Sequence, residues 1–196
     1  MKKLHTFFAL LLCLGFSSIL TAQEEKITPP AQGKAVIYLV RTSSAGSIIN
    51  FKYFDGETYL GKFNGRKVFR YECDPGKHIF WARSENVDYV EAELKADAIY
   101  LLEVKASFGF VKAAVKFNTV DYSDKRQMKR IFRIFKKKEL IDLNTHELVD
   151  ESEKIYEDKT KEADKKIKNG LEKIAKKKQK GRKVKKITPE MVYKKQ

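Results

Sequence analysis

The chain has 196 residues, of which 41 are Lys or Arg and 26 are Asp or Glu, for a formal net charge of +15. The excess sits at one end: residues 125–196 carry 25 basic against 12 acidic side chains, whereas residues 1–124 carry 16 against 14. Such asymmetry points to an anionic partner rather than to chemistry, and two cysteines exclude a disulfide-stapled scaffold.

Residues 1–22 have the three parts of a secretory signal: Lys2 and Lys3, an apolar run over 7–14, and Ser17, Ser18, Thr21 and Ala22 before a cut at Gln23. Gly15 and the two serines break the run short of the roughly 20 apolar residues a spanning helix needs. Leu12 precedes Cys13 where a lipid-attachment cysteine needs a small residue, so lipidation is not expected. Cleavage would leave Cys73 as the one thiol, unable to form an intrachain disulfide. The expected location is therefore the periplasm or cell envelope. Residues 23–32, with Pro29 and Pro30, read as a polar linker.

From there strand signals recur at short intervals. Residues 35–41 (AVIYLVR) are apolar on both faces, like a central strand. After a loop at 43–47, Ile49, Phe51 and Tyr53 alternate with Asn50, Lys52 and Phe54 up to Asp55-Gly56. That pair suits a tight hairpin, because Gly accepts positive φ freely. Residues 58–63 return, Asn64-Gly65 repeats the turn chemistry, and 68–73 lead to a reversal at Asp74-Pro75-Gly76. Residues 77–83 follow. Val90, Ala92 and Leu94 alternate with Glu91, Glu93 and Lys95, a half-exposed strand. Ala98, Tyr100, Leu102, Val104 and Ala106 make one face of the next, and Val111, Ala113, Val115 and Phe117 close the set. This spacing predicts a mainly β fold with α structure at its C-terminal end, the β part being an antiparallel two-sheet sandwich over 33–122. Val36, Tyr38, Val40, Phe51, Phe69, Phe80, Val104 and Val115 are expected in its core.

Residues 33–41 (GKAVIYLVR), the hairpin Phe54-Asp55-Gly56 with Gly61 after it, the step Asp74-Pro75-Gly76-Lys77-His78 and residues 98–104 (AIYLLEV) resemble DUF2846, a bacterial family of exported domains without an assigned activity. The resemblance covers residues 33–117 and implies an Ig-like or transthyretin-like β-sandwich. It supplies no catalytic residues.

Asp124 with Gln127 three residues on reads as a capping-box start. Met128, Ile131, Phe132 and Phe135 then fall at helical spacing among Lys129, Arg130, Arg133, Lys136, Lys137 and Lys138. Either this stripe packs on the sandwich and the cations are solvated, or the helix lies on an anionic membrane surface through Phe132 and Phe135. Apolar stripes on short helices more often belong to a core, which favours the first. Thr145 opens a second helix to about Lys178, supported by i,i+4 pairs such as Asp164–Lys168 and Glu172–Lys176. Its narrow stripe (Leu148, Tyr156, Ala163, Ile167, Leu171, Ile174) predicts loose packing, with Gly170 as a weak point. The helical extension thus spans 123–179. Residues 176–186 (KKKQKGRKVKK) hold eight cations and no acid, so 180–196 read as disordered.

His78 and His146 are too isolated to build a metal site with Cys73, and no nucleophile elbow, phosphate loop or zincin helix occurs. No catalytic, metal or cofactor residue is assigned. A pocket uniting Tyr100, Glu103 and His78 would reopen enzymatic chemistry. The expected role is a non-catalytic, exported binding or scaffold module. Lys129, Arg130, Arg133, Lys136, Lys137, Lys138, Lys176, Lys177, Lys178, Lys180, Arg182, Lys183, Lys185 and Lys186 would contact anionic envelope material, whether lipid headgroups, peptidoglycan or acidic glycan. The alternative is a peripheral membrane-surface protein that uses helix 124–138. A protein partner fits either reading. Nucleic acid is disfavoured by the export signal and by a tail without interleaved aromatics for base stacking.

Overall fold

Strand β1 (Ala35–Arg41) is buried from end to end because both of its faces are covered. Ala35, Ile37 and Leu39 point into a core shared with a second sheet, while Val36, Tyr38 and Val40 point outward against a helix. A computed structural model describes residues 26–44, 47–108, 113–146, 156–181 and 183–194; the segment 1–22 read as a leader, Val111, Leu148 and Arg182 lie outside them.

The remaining strands are β2 (Phe51–Asp55), β3 (Thr58–Phe63), β4 (Val68–Cys73), β5 (Gly76–Arg83), β6 (Val87–Leu94), β7 (Ala98–Phe108), β8 (Ala113–Thr119), β9 (Leu140–Asp142) and β10 (Lys186–Ile187). They form two five-stranded sheets, ordered β8-β7-β1-β4-β9 and β10-β6-β5-β2-β3. The mainly β prediction with C-terminal helix holds, and the eight core residues expected from the sequence are buried. The sheets are not purely antiparallel, however. β1 pairs parallel with β7, β4 with β9, and β6 with β10. Turn chemistry specifies only local hairpins, and the parallel partners are far apart in sequence.

Two predicted turns are in fact crossings between sheets. Asp55-Gly56 closes the β2–β3 hairpin as expected, with Gly56 at φ +54. Asn64-Gly65 instead carries the chain from β3 to β4, and Asp74-Pro75 carries it back to β5. The edge of β8 is tied to the other sheet by side chains. Asn86 Nδ2 donates to the Val115 carbonyl at 2.9 Å, and Asp88 accepts from Phe117 N–H at 2.8 Å.

Helix α1 (Lys125–Lys137) starts where Asp124 accepts from the N–H groups of Arg126 and Gln127 at 2.9 and 3.0 Å. Ile131, Ile134 and Phe135 are buried against Val36, Tyr38, Val40, Val68 and Leu101. Burial of this kind contributes about 1.5–3 kcal/mol per large apolar side chain.

Helix α2 (Tyr156–Gln179) lies on the outer face of the other sheet, over Phe54, Trp81, Val87 and Tyr89, with Ile174 buried among them. The predicted loose packing is corrected here. Gly170 is the point of closest approach, since a Cβ there would overlap Cη2 and Cζ3 of Trp81. Trp81 in turn stacks on Phe54 at 3.8 Å and donates to the Gly56 carbonyl at 2.8 Å. Residues 143–146 form a turn; the start predicted after Thr145 falls on residues 147–155, outside the described residues, and helix is described from Tyr156 onward.

The disorder predicted over 180–196 is also overturned for residues 183–194. β10 adds to β6 in the register Lys186↔Glu91 and Ile187↔Ala92, and Ile187 is buried. The chain then crosses to the first sheet, where Tyr193 N–H donates to the Ile99 carbonyl at 2.7 Å and Tyr122 donates to the Met191 carbonyl. Self-repulsion is the correct local reading of this segment, but acids on β6 supply the counter-charge. Among the described residues no helix is long and apolar enough to cross a membrane.

Candidate functional site: the cationic face of the first helix

The predicted anion-contacting residues divide into two sets once their partners are known. In the C-terminal segment, Lys178 pairs with Glu91 at 2.5 Å, Lys185 with Asp88 at 2.6 Å, and Lys186 with Glu91 at 3.9 Å. Lys177 donates to the Val87 carbonyl. Lys177, Lys178 and Lys185 thus have partners within the fold that tie α2 and the segment before β10 to β6, whereas Lys186, 65 % exposed, stays open to solvent. Lys176, Lys180 and Lys183 stay exposed.

On α1 only Arg130 is engaged, by Glu103, with Nε 2.7 Å and Nη2 3.2 Å from its two carboxylate oxygens. That removes Arg130 from the external set. Lys129, Arg133, Lys136 and Lys137 are exposed and form no ion pair among the described residues. Helical spacing makes them neighbours: Lys129 and Arg133 are four apart, as are Arg133 and Lys137. Each such like-charge contact destabilises a helix by about 0.2–0.5 kcal/mol. Lys136 and Lys137 gain in return from the carbonyl end of the helix, so stability alone does not account for Lys129 and Arg133.

The membrane-contacting assignment fails for Phe135, which is 0 % exposed and edge-on to Tyr38 with ring centroids 5.5 Å apart. Phe132 is half-buried between Phe135 and Tyr193, at 6.2 and 6.1 Å, and keeps one side open to solvent.

Two recesses open on the cationic side. One, of about 460 Å³, is lined by Arg66, Arg133, Ile134, Lys137 and Lys138. The other, of about 630 Å³, is lined by Arg126, Lys129, Arg130, Phe132, Arg133 and Lys136. Arg133 is common to both. Sequence reasoning missed Arg66, because it follows Asn64-Gly65 in a connection whose proximity to α1 depends on β4 crossing to the other sheet. The connection is held by Gly65 N–H donating to the Ser47 carbonyl at 2.7 Å and Val68 N–H donating to the Glu139 carbonyl at 3.1 Å. The neighbouring Lys67 is occupied by Glu139 at 2.8 Å. Arg126 also escaped the sequence assignment, although its spacing on the helix could have found it.

Glu103 fixes this helix to its sheet. The carboxylate is completely buried and accepts from Thr42 Oγ1 at 2.7 Å and Gln127 Nε2 at 3.1 Å, besides Arg130. Burial opposes its ionisation, but the donors Arg130, Thr42 and Gln127, with the charge of Lys105, outweigh that and lower it to about 2.

The three residues whose meeting would reopen enzymatic chemistry do not meet. Glu103 faces α1. Tyr100 lies in the inter-sheet core, its hydroxyl accepting from Lys95 N–H at 2.9 Å and donating toward the Pro189 carbonyl. His78 is on the other sheet, with Nδ1 2.8 Å from Asp55 and Nε2 2.8 Å from the Asp74 carbonyl. Both neighbours are acceptors, so both ring nitrogens carry protons and the ring is an imidazolium. The bond to Asp55 raises it to about 10. Such a histidine is a fastener between β2 and β5, not a base.

The first strand also holds a charge that its apolar pattern hides. Arg41 is fully buried, its guanidinium 3.8 Å over the Phe51 ring and donating to the carbonyls of Ile49 and Phe63 at 3.0 and 3.2 Å. Among the described residues no group of three His, Cys, Asp or Glu side chains is placed to hold a metal ion. Comparison with known proteins finds no matching family model, no matching curated protein and no matching solved structure.

Proposed function

We propose that the chain is a non-catalytic, exported module of the cell envelope that meets anionic envelope material through the cationic face of α1. In this reading it is a sandwich of the Ig-like or transthyretin-like kind that the DUF2846 resemblance implies, and the β core serves as a rigid mount. The observation that carries the proposal is the division of the positive charge. Lys178 and Lys185 of the C-terminal segment are matched by Glu91 and Asp88, whereas Lys129, Arg133, Lys136 and Lys137 face solvent and gather with Arg66 and Arg126 around two recesses. A charged stripe that weakens its own helix is relieved when a partner of opposite sign arrives.

The test is co-sedimentation of the full chain with isolated envelopes at low and high salt. Replacing Arg126, Lys129, Arg133 and Lys136 together by Gln should abolish salt-sensitive association. Replacing Lys176, Lys180 and Lys183 by Gln should leave most of it. Equal retention of both variants removes the helix face from the function; equal loss returns the tail to it.

A further inference from the structure

We infer that the two recesses flanking Arg133 are phosphoryl-group sites, each taking a phosphomonoester or one end of a pyrophosphate in preference to a carboxylate. The inference rests on the proposal that the α1 face meets an anionic partner, and it names the chemistry of that partner.

Charge matching is the first argument. With Arg130 engaged by Glu103, one recess keeps Arg66, Arg133, Lys137 and Lys138, the other Arg126, Lys129, Arg133 and Lys136, and no carboxylate lines either. A carboxylate brings one charge and two oxygens. A phosphomonoester brings about −1.5 to −2 and three acceptor oxygens. Four cations around one volume stay mutually repulsive after a single carboxylate binds, and a dianion relieves them better.

Geometry is the second. Arg66 and Arg133 come from separate elements and line one recess together, so two planar forks can address one tetrahedral group while the lysines act as point charges. Neither arm depends on the ligand for its backbone position. α1 is held by Ile131, Ile134, Phe135 and Glu103, and Arg66 by the hydrogen bonds on both sides of it. Preorganisation of this kind reduces the ordering cost of binding.

The carbonyl end of α1, which would repel an anion, is screened. Lys136 and Lys137 occupy its last turn, and Lys26 Nζ donates to the Lys138 carbonyl at 3.1 Å. Both recesses are open to solvent, so the esterified part of a ligand can extend outward, with Phe132 as an apolar wall in the larger. Because Arg133 serves both, a ligand with two adjacent phosphoryl groups engages the face most fully.

The experiment is calorimetric titration of the full chain with pyrophosphate and with citrate at equal ionic strength, alongside flotation with vesicles containing phosphatidic acid or phosphatidylglycerol at equal surface charge. Pyrophosphate should bind at least about tenfold more tightly than citrate. Phosphatidic acid should outperform phosphatidylglycerol if the phosphoryl groups are headgroups; binding of pyrophosphate without that preference supports a soluble phosphorylated ligand. Arg133→Gln should weaken pyrophosphate about tenfold, Arg66→Gln by a smaller factor, and Lys180→Gln not at all. Citrate binding as tightly as pyrophosphate overturns the phosphoryl assignment but leaves the cationic face as an anion surface. An α1 variant that keeps full envelope association overturns that surface itself.

Discussion

Glu103→Gln preserves the shape of the residue that joins α1 to its sheet and removes its charge. The carboxylate takes four donations, from Arg130 Nε and Thr42 Oγ1 at 2.7 Å each, from Gln127 Nε2 at 3.1 Å and from Arg130 Nη2 at 3.2 Å. Lowering its pKa to about 2 from 4.5 stabilises the fold by about 3 kcal/mol, at about 1.4 kcal/mol per tenfold change in proton affinity. Truncating a fully buried pair costs about 3–5 kcal/mol. The Arg130 side chain is 31 % exposed, so it rehydrates and the loss belongs at the low end of that range. The variant should therefore lose about 3 kcal/mol at pH 7, which is about 6–12 °C in Tm for a chain of this size. The folded carboxyl is more acidic than the unfolded one. Its contribution is thus complete above about pH 4.5 and disappears as pH falls toward about 2, so the parent should weaken more steeply over that window than the variant, in which Glu72, Asp74, Asp121, Glu139 and Glu190 still titrate below their ordinary range. Urea melts followed by circular dichroism at neutral and acid pH measure both effects. A variant with the parental midpoint at pH 7, or with the parental acid slope, refutes the account of Glu103.

His78→Gln removes the opposite kind of group, one whose folded state binds its proton more tightly than the unfolded state. Its stabilisation is complete below about pH 6.5 and is lost as pH rises through about 10, so the parent should lose about 2 kcal/mol between neutral pH and pH 10.5 and the variant much less, read from urea midpoints. Gly170→Ala gains about 1 kcal/mol of helix propensity but drives a methyl into Trp81. Overpacking costs about 1–3 kcal/mol, so the net effect should be destabilising; because Trp81 is the sole tryptophan, a red-shifted emission at low urea would report α2 lifting away. A more stable protein with parental emission would refute the close approach. Deleting residues 184–196 removes β10 and the buried Ile187, and should cost about 2–4 kcal/mol in urea unfolding, whereas a dispensable tail would leave the midpoint unchanged.

What the linear chain disclosed follows from the range over which each signal acts. Alternation marked Val90, Ala92 and Leu94 as inward-facing, and that strand is built as expected, because two-residue periodicity is a property of neighbours. The same reading took β1 as uniformly apolar and passed over Arg41, whose solvent replacements are the carbonyls of Ile49, before β2, and of Phe63, at the end of β3. Gly170 looked like a flaw because helix propensity is local, and the indole it accommodates is 89 positions earlier. Glu91 looked like the wet side of a half-exposed strand and Asp88 drew no reading; the cations that meet them arrive almost a hundred residues later.

That last pairing changes what the charge asymmetry means. A sequence count locates the surplus at the C-terminal end and tempts one to place the contact in the densest run of lysine. Once long-range pairs are counted, part of that run serves as an internal fastener, and the outward-facing remainder is shared between the C-terminal segment and α1, where Arg66 joins it across a sheet crossing to line a recess. Two effects of one electrostatic principle are thereby separated. Cations beside β6 carboxylates lower the free energy of the fold, and their removal should be felt in melting. Cations beside one another on α1 raise it, and their removal should leave melting unchanged or improved while association with polyanions falls. Stability and binding measured on the same pair of variants should therefore move in opposite directions, an outcome that a uniformly solvated basic tail does not produce.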